Sequence, residues 1–137
     1  MSHLYAHKVI QCFREATHAG KMAGADGVGR VGDVFCGDFF VMYIRVRDGR
    51  LAGISYQVFG CPAAIATCEA VAEMAAGKTL EEAQRITDER VAEFLGGLPD
   101  FKLHCSNSAA EALGRAISDY AARRAVSEGK EQSHADV

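Results

Sequence analysis

Apolar residues recur at helical spacing at the start of the chain. Tyr5, Val9, Cys12, Phe13 and Ala16 form one stripe, which predicts an amphipathic helix of about four turns with Cys12 on its buried side. The pattern then breaks. Between Gly20 and Gly32 stand five glycines and little that packs, which predicts a mobile glycine-rich loop over 20–35 leading into Cys36. From Phe39 the period becomes two. The β-branched and aromatic runs Phe39–Arg47 and Leu51–Phe59 flank Asp48-Gly49, a strong hairpin signal. In the second run Ala52, Ile54, Tyr56 and Val58 alternate with Gly53, Ser55 and Gln57, giving one core face and one wetter face. Antiparallel strands of similar length bring their outer ends together, so the hairpin carries the chain out from Cys36 and back to Cys61.

After Gly60-Cys61, Pro62 suits the first position of a helix whose stripe is Ile65, Cys68, Val71, Ala72 and Ala75, ending before Gly77. Thr79-Leu80-Glu81-Glu82 fits a capping box, and Asp88 caps a further short helix that stops at Gly96-Gly97. A short apolar piece, Phe101 to Leu103, runs to His104-Cys105. The last helix is expected from near Ser106 or Ser108, burying Ala109, Leu113, Ala116, Ile117 and Tyr120. Beyond Val126 the residues are polar. The reading is one domain over 1–126 followed by a disordered polar tail over 127–137.

The run Gly27-Val28-Gly29-Arg30-Val31-Gly32 matches the dinucleotide fingerprint GxGxxG, but that motif works only between a strand and a helix N-terminus. Here a loop is expected before it and a strand after it, so the match is set aside.

With 137 residues, 49% of them hydrophobic, the chain holds enough apolar material for one core without cross-links. Five cysteines is an odd number in a spacing unlike a disulfide-stapled scaffold, which points to reduced thiols and a cytoplasmic setting. The longest apolar run, Phe39 to Ile44, falls far short of the roughly 20 residues that span a bilayer, so no membrane partner is expected. His3, His7, Lys8, Gln11 and Arg14 interrupt the N-terminal apolar positions, unlike a secretory signal. A formal net charge of -3 argues against nucleic acid, which needs clustered Lys and Arg.

Candidate chemistry lies with three cysteines at element ends: Cys36 before Gly37-Asp38, Cys61 after Gly60, and Cys105 after His104. Cys61 and Cys105 immediately precede expected helices, where the positive end of the helix dipole favours a thiolate. Three thiolates plus Asp38 or His104 make a four-ligand set, and soft thiolates select zinc, copper(I) or iron-sulfur centres. Cys12 and Cys68 lie on apolar helix faces and read as core. His3, His7, His18 and His134 read as surface histidines. Lys102 is either an exposed charge or a partner of a thiolate.

These residues resemble the iron-sulfur cluster assembly scaffolds of the IscU type, which also form the N-terminal domain of NifU proteins. The resemblance rests on Cys36-Gly37-Asp38, on Phe59-Gly60-Cys61 with Ala64-Ile65-Ala66 after it, and on Lys102-Leu103-His104-Cys105-Ser106. Gly77-Lys78-Thr79-Leu80-Glu81-Glu82-Ala83 and Tyr5-Ala6-His7-Lys8-Val9-Ile10 add to it, so that it runs from about residue 4 to about residue 123. It implies an α+β fold, a small three-stranded antiparallel sheet packed by helices, and a scaffold rather than an enzyme. It further implies a labile iron-sulfur cluster, of 2Fe-2S type, built at one exposed end.

Carried over by motif, Cys36, Cys61 and Cys105 are cluster ligands, Cys105 is the first sulfur acceptor, and Asp38 and His104 are the non-cysteine positions. The implied partners are a cysteine desulfurase as sulfur donor, apo iron-sulfur proteins as acceptors, and an Hsp70-type chaperone. His104 favours the IscU type over the SUF-associated scaffolds, whose insertion is absent here. The chain departs from the family at Glu15-Ala16-Thr17-His18-Ala19-Gly20, where an Asn-Pro-Arg-Asn stretch is usual. It departs again at Leu98-Pro99-Asp100-Phe101-Lys102, where an acidic residue enters the chaperone-recognition segment. Two other readings use the same residues: a zinc-binding paralogue, and a sulfur carrier that accepts persulfide on Cys105 without building a cluster.

Overall fold

The computed structural model describes residues 7–32, 37–96 and 103–136, with side chains described except at 7–9, 13, 103–106 and 127–136. The elements in order are α1 (His7–Glu15), β1 (Gly27–Gly32), β2 (Phe39–Arg47), β3 (Arg50–Phe59), α2 (Pro62–Ala75), α3 (Leu80–Gln84), α4 (Asp88–Phe94) and α5 (Leu103–Asp136). The three strands form one antiparallel sheet in the order β1-β2-β3. This is the expected α+β architecture.

The hairpin closes where the Asp-Gly pair predicts. Asp48 (φ 54) and Gly49 (φ 73) both take left-handed backbone, the conformation of a tight turn whose twist matches its strands. One sheet face, Phe40, Met42 and Ile44 with Ile54 and Tyr56, is buried against the helices. Each such large side chain contributes about 1.5–3 kcal/mol on burial.

α2 is the centre of the molecule, buried on nearly every side from Ala63 to Ala72 rather than along one stripe. Its alanines make that possible, because small side chains let α1, β3 and α5 approach together. Ile65, expected on the buried stripe, is only half-buried. Among the described residues no helix is long and apolar enough to cross a membrane.

Four local expectations need correction. The glycine-rich segment read as loop is a strand over its second half: β1 pairs with β2 from Gly27↔Ile44 to Gly32↔Phe39. Its glycines are there because α5 lies against them. A Cβ on Gly27 would overlap the Ala116 carbonyl, and one on Gly29 the Ala112 carbonyl. The helix at 88–94 is capped by Thr87, whose hydroxyl accepts from the Arg90 amide, and Asp88 is its first residue. α5 begins at Leu103, so His104 and Cys105 lie inside its first turn rather than before it. The same helix continues to Asp136, where polar composition predicts a tail. Glu, Lys, Gln and Ala in that stretch are good helix formers. The capping box is present as expected, with Thr79 and Glu82 exchanging hydrogen bonds.

Candidate metal centre

The sheet register builds one end of the site. Phe39 pairs with Phe59, so Gly37-Asp38 and Gly60-Cys61 emerge side by side from β2 and β3. Gly37 takes φ 72, a backbone that a glycine adopts without strain. Asp38 is then turned inward and is 5% exposed. Cys61 is the N-cap of α2, half-buried and in extended backbone, with Pro62 at the first helical position. The Cys61 thiol donates to Oδ2 of Asp38 at 3.6 Å, a separation that the larger radius of sulfur allows. Gly60 makes the contact possible, since a Cβ there would overlap the Asp38 carboxyl group.

α5 brings the third element to this end. Gly27 lies against Ala116 and Tyr120, and Gly29 against Ala112 and Ala116, so α5 runs antiparallel to β1. About 13 Å of helix separates Ala112 from Leu103, and about 10 Å of strand separates Gly29 from Gly32. The first turn of α5, with the backbone of His104 and Cys105, therefore lies at the same end of the sheet as Asp38 and Cys61. The side chains of His104 and Cys105, and the whole of Cys36, lie outside the described residues, as does the segment 97–102 with Asp100 and Lys102. Among the described residues no group of three or more His, Cys, Asp or Glu is arranged to hold a metal. The described part of the site is the pair Cys61 and Asp38.

Cys12 and Cys68 are buried, as expected. Burial pushes the Cys68 thiol far up, and the carboxylates of Glu69 and Asp38 raise it further, so it stays protonated. Such a thiol is neither nucleophile nor ligand. The Cys12 thiol approaches Oε2 of Glu73 at 4.0 Å.

One polar cluster was not anticipated. Glu69, whose side chain has no exposed surface, accepts from the His18 amide at 2.9 Å and from the Tyr56 hydroxyl at 2.8 Å, and its Oε2 lies 2.7 Å from His18 Nδ1. His18 is thus tied into the interior rather than being an ordinary surface histidine; its side chain is 26% exposed. Burial pushes the Glu69 carboxyl up, but the hydrogen bonds from His18 and Tyr56 outweigh it and hold the group below the usual carboxylate range. Burial and the neighbouring carboxylate drive Tyr56 far up, so it acts only as a donor. The signal in the sequence is Glu69 itself, a lone carboxylate amid Ala, Cys and Val in α2, which demands buried partners.

Comparison with known proteins places the chain in a family. The family described as NifU-like N terminal domain matches residues 4–127. The chain is 55% identical over 117 residues to iron-sulfur cluster assembly scaffold protein IscU 1 of Archaeoglobus fulgidus, covering 85% of this chain and 76% of that protein. It is 37% identical over 122 residues to the iron-sulfur cluster assembly scaffold protein IscU of Aquifex aeolicus, covering 88% and 78%. The nitrogen fixation protein NifU of a Nostoc strain is 38% identical over 124 residues, a match that covers 85% of this chain but 41% of that longer protein.

A solved scaffold structure for the SUF system of Fervidobacterium islandicum superposes with a TM-score of 0.69 at 19% identity, covering 85% of this chain and 98% of that one. The N-terminal part of a NifU-like protein from Brucella abortus does so with 0.70 at 18% identity, covering 87% and 95%. At such identities these structures show the shared fold.

Proposed function

The chain belongs to the NifU-like N-terminal domain family, and from that premise we propose that it is a scaffold on which a labile iron-sulfur cluster is assembled and then handed to apo-proteins. The observation that carries this reading is the Cys61 thiol at the start of α2, in contact with the buried carboxylate of Asp38. The Cys61 sulfur is a soft donor of the kind that binds iron, and Asp38 beside it is a harder, weaker ligand for a soft centre. We assign Cys36, Cys61 and Cys105 as the thiolate ligands, with Asp38 or His104 completing the set. A cluster held by three thiolates and one oxygen or nitrogen ligand is released more readily than one held by four cysteines, as a cargo must be.

Sulfur enters by thiol exchange. The Cys105 thiolate attacks the outer sulfur of a persulfide on a cysteine desulfurase; the new S–S bond forms at Cys105 and the donor leaves as its thiolate. Conversion of that sulfane sulfur to sulfide consumes an electron pair from an external thiol or electron-transfer protein. Iron arrives separately. The protein's own contribution is to hold the ligands at one end of the sheet and to keep one of them weak.

Anaerobic reconstitution with iron, cysteine and a desulfurase tests this. The wild-type chain turns red-brown, with a 2Fe-2S spectrum, and Cys36→Ser, Cys61→Ser and Cys105→Ser each lose the colour. A colourless protein that keeps stoichiometric zinc through gel filtration would replace this reading with the zinc-binding one. Persulfide uptake that needs only Cys105, with no colour, would replace it with the carrier.

A further inference from the structure

β3 is an edge strand, and the chain closes its free edge at two places. At Leu51 the amide donates to the Lys78 carbonyl at 2.8 Å and the carbonyl accepts from the Gly77 amide at 3.0 Å. At Tyr56 the amide donates to the His18 carbonyl at 3.1 Å and the carbonyl accepts from the Gly20 amide at 2.7 Å. The covering segment runs parallel to β3 there, then turns back at Gly20 (φ 136), so that Met22 comes to lie against Gly53. The cover stops short of Val58.

Val58 stands two residues beyond Tyr56, so its amide and carbonyl point to the same free edge. The register agrees: Tyr56 faces Met42 and Val58 faces Phe40, both positions where an antiparallel pair exchanges no hydrogen bonds. Among the described residues nothing bonds to the Val58 amide or carbonyl. Beside them opens a cavity of about 360 Å³, lined by Ala16, Ala19, Gly20, Val58, Phe59 and Ile65. No charged side chain lines it, and the two polar ones are engaged. The Tyr56 hydroxyl donates to Glu69 at 2.8 Å, and Oε1 of Gln57 accepts from the Tyr43 hydroxyl at 2.6 Å.

We propose that an extended, uncharged segment of a partner protein adds to β3 at Val58, its main chain bonding the Val58 amide and carbonyl and one aliphatic side chain filling the cavity between Ala16, Phe59 and Ile65. An unpaired amide and carbonyl on a strand edge are matched by another extended main chain. Strand addition draws affinity from such bonds and specificity from a pocket for an alternate side chain. The uncharged wall selects against Lys, Arg, Asp or Glu at the pocket position, because a charge buried there has no partner. Val58 lies about 10 Å along an extended chain from Cys61, so a partner held here is brought to the cysteine end. The docking rests on the edge and the cavity and not on what Cys61 binds.

The test uses the full chain and a short fluorescein-labelled peptide in which threonine alternates with valine. Fluorescence anisotropy is expected to give a Kd below about 1 mM, unchanged between about 0.05 M and about 0.5 M salt because no charges pair. By amide NMR the peptide slows hydrogen exchange at Val58 at least about tenfold and shifts the signals of Gly20 and Ile65. On the same wild-type chain, the peptide methylated on its main-chain nitrogens does not bind, nor does one with lysines in place of its valines. Val58→Pro removes the edge donor and no ladder bond to β2, and weakens binding at least about tenfold. Ile65→Lys does the same from the other wall. A Kd above about 1 mM, equal binding by the methylated peptide, or a Val58 amide already protected in the free monomer would overturn the proposal. A chain that sediments as a dimer with Val58 protected would make the occupant a second copy and overturn it as well.

Discussion

His18 Nδ1 lies 2.7 Å from Oε2 of Glu69, and with the His18 amide and the Tyr56 hydroxyl it surrounds a carboxylate that has no exposed surface. The contact ties the segment after α1 to the central helix, and the same segment pairs with the edge of β3 through Tyr56, whose amide donates to the His18 carbonyl. Glu69→Gln presents an amide donor where three donors already converge, and is expected to cost about 2–3 kcal/mol at neutral pH. His18→Ala leaves the other two donors in place and costs about 1–2 kcal/mol. Urea unfolding of the three proteins measures both.

The pH dependence of that difference follows from the depressed Glu69 carboxyl. A folded-state pKa below the unfolded one contributes stability that is fully present above about 4.3 and lost as pH falls through the folded value. The gap between wild type and Glu69→Gln is therefore constant from pH 7 to about pH 5 and narrows below about pH 4. A gap that held its full size down to pH 3 would show that Glu69 is not the ionised acceptor.

At the candidate centre, Gly60→Ala and Asp38→Ala are expected to act alike. The added methyl group overlaps only the end of the Asp38 side chain, so the carboxylate moves off Cys61 while the backbone stays. The cost in stability is small, about 1 kcal/mol, and the effect falls on the metal. Cluster lifetime and transfer rate after reconstitution change in the same direction in both variants. Unchanged values in Asp38→Ala would remove the weak-ligand role from Asp38.

Gly29→Ala sets backbone against backbone, since its Cβ would meet the Ala112 carbonyl and the Ala116 amide of α5, and neither can rotate away. A loss of about 3 kcal/mol or more is expected from forcing β1 and α5 apart. Gly53→Ala, whose nearest neighbours are side-chain atoms at 3.4 Å, is the tolerated control. Thermal unfolding separates them.

That pair of glycines also shows what a sequence conceals. The Asp48-Gly49 turn, the Pro62 helix start and the Thr79–Glu82 box are each written within a few residues, and all three stand in the structure. Gly27 and Gly29 repeat at a strand's period, but their reason is a helix more than eighty residues away, so locally they read as loop. The start of α5 is concealed for a similar cause: Leu103-His104-Cys105 offers no capping residue, and the helix is held by Ala109, Ala112 and Ala116 packing later in its length. Glu69 is visible in the sequence, but its partner is a histidine 51 positions away on the surface-facing segment.

Thiol chemistry separates the described cysteines. Cys61 is half-buried at a helix start, whereas Cys12 and Cys68 are shut in the core and Cys68 is driven far above the ordinary thiol range by burial and by two carboxylates. Alkylation proceeds through the thiolate, so it needs both access and ionisation. Under native conditions at pH 8, iodoacetamide is expected to modify Cys61 at least about a hundredfold faster than Cys12 or Cys68, the core thiols reacting only when the chain opens. Peptide mass spectrometry over time gives the three rates. In Gly29→Ala the Cys68 rate rises with the loss of stability while the Cys61 rate holds, because only the first is gated by unfolding. If Cys68 kept pace with Cys61 in the native wild type, the buried placement of α2 would be wrong.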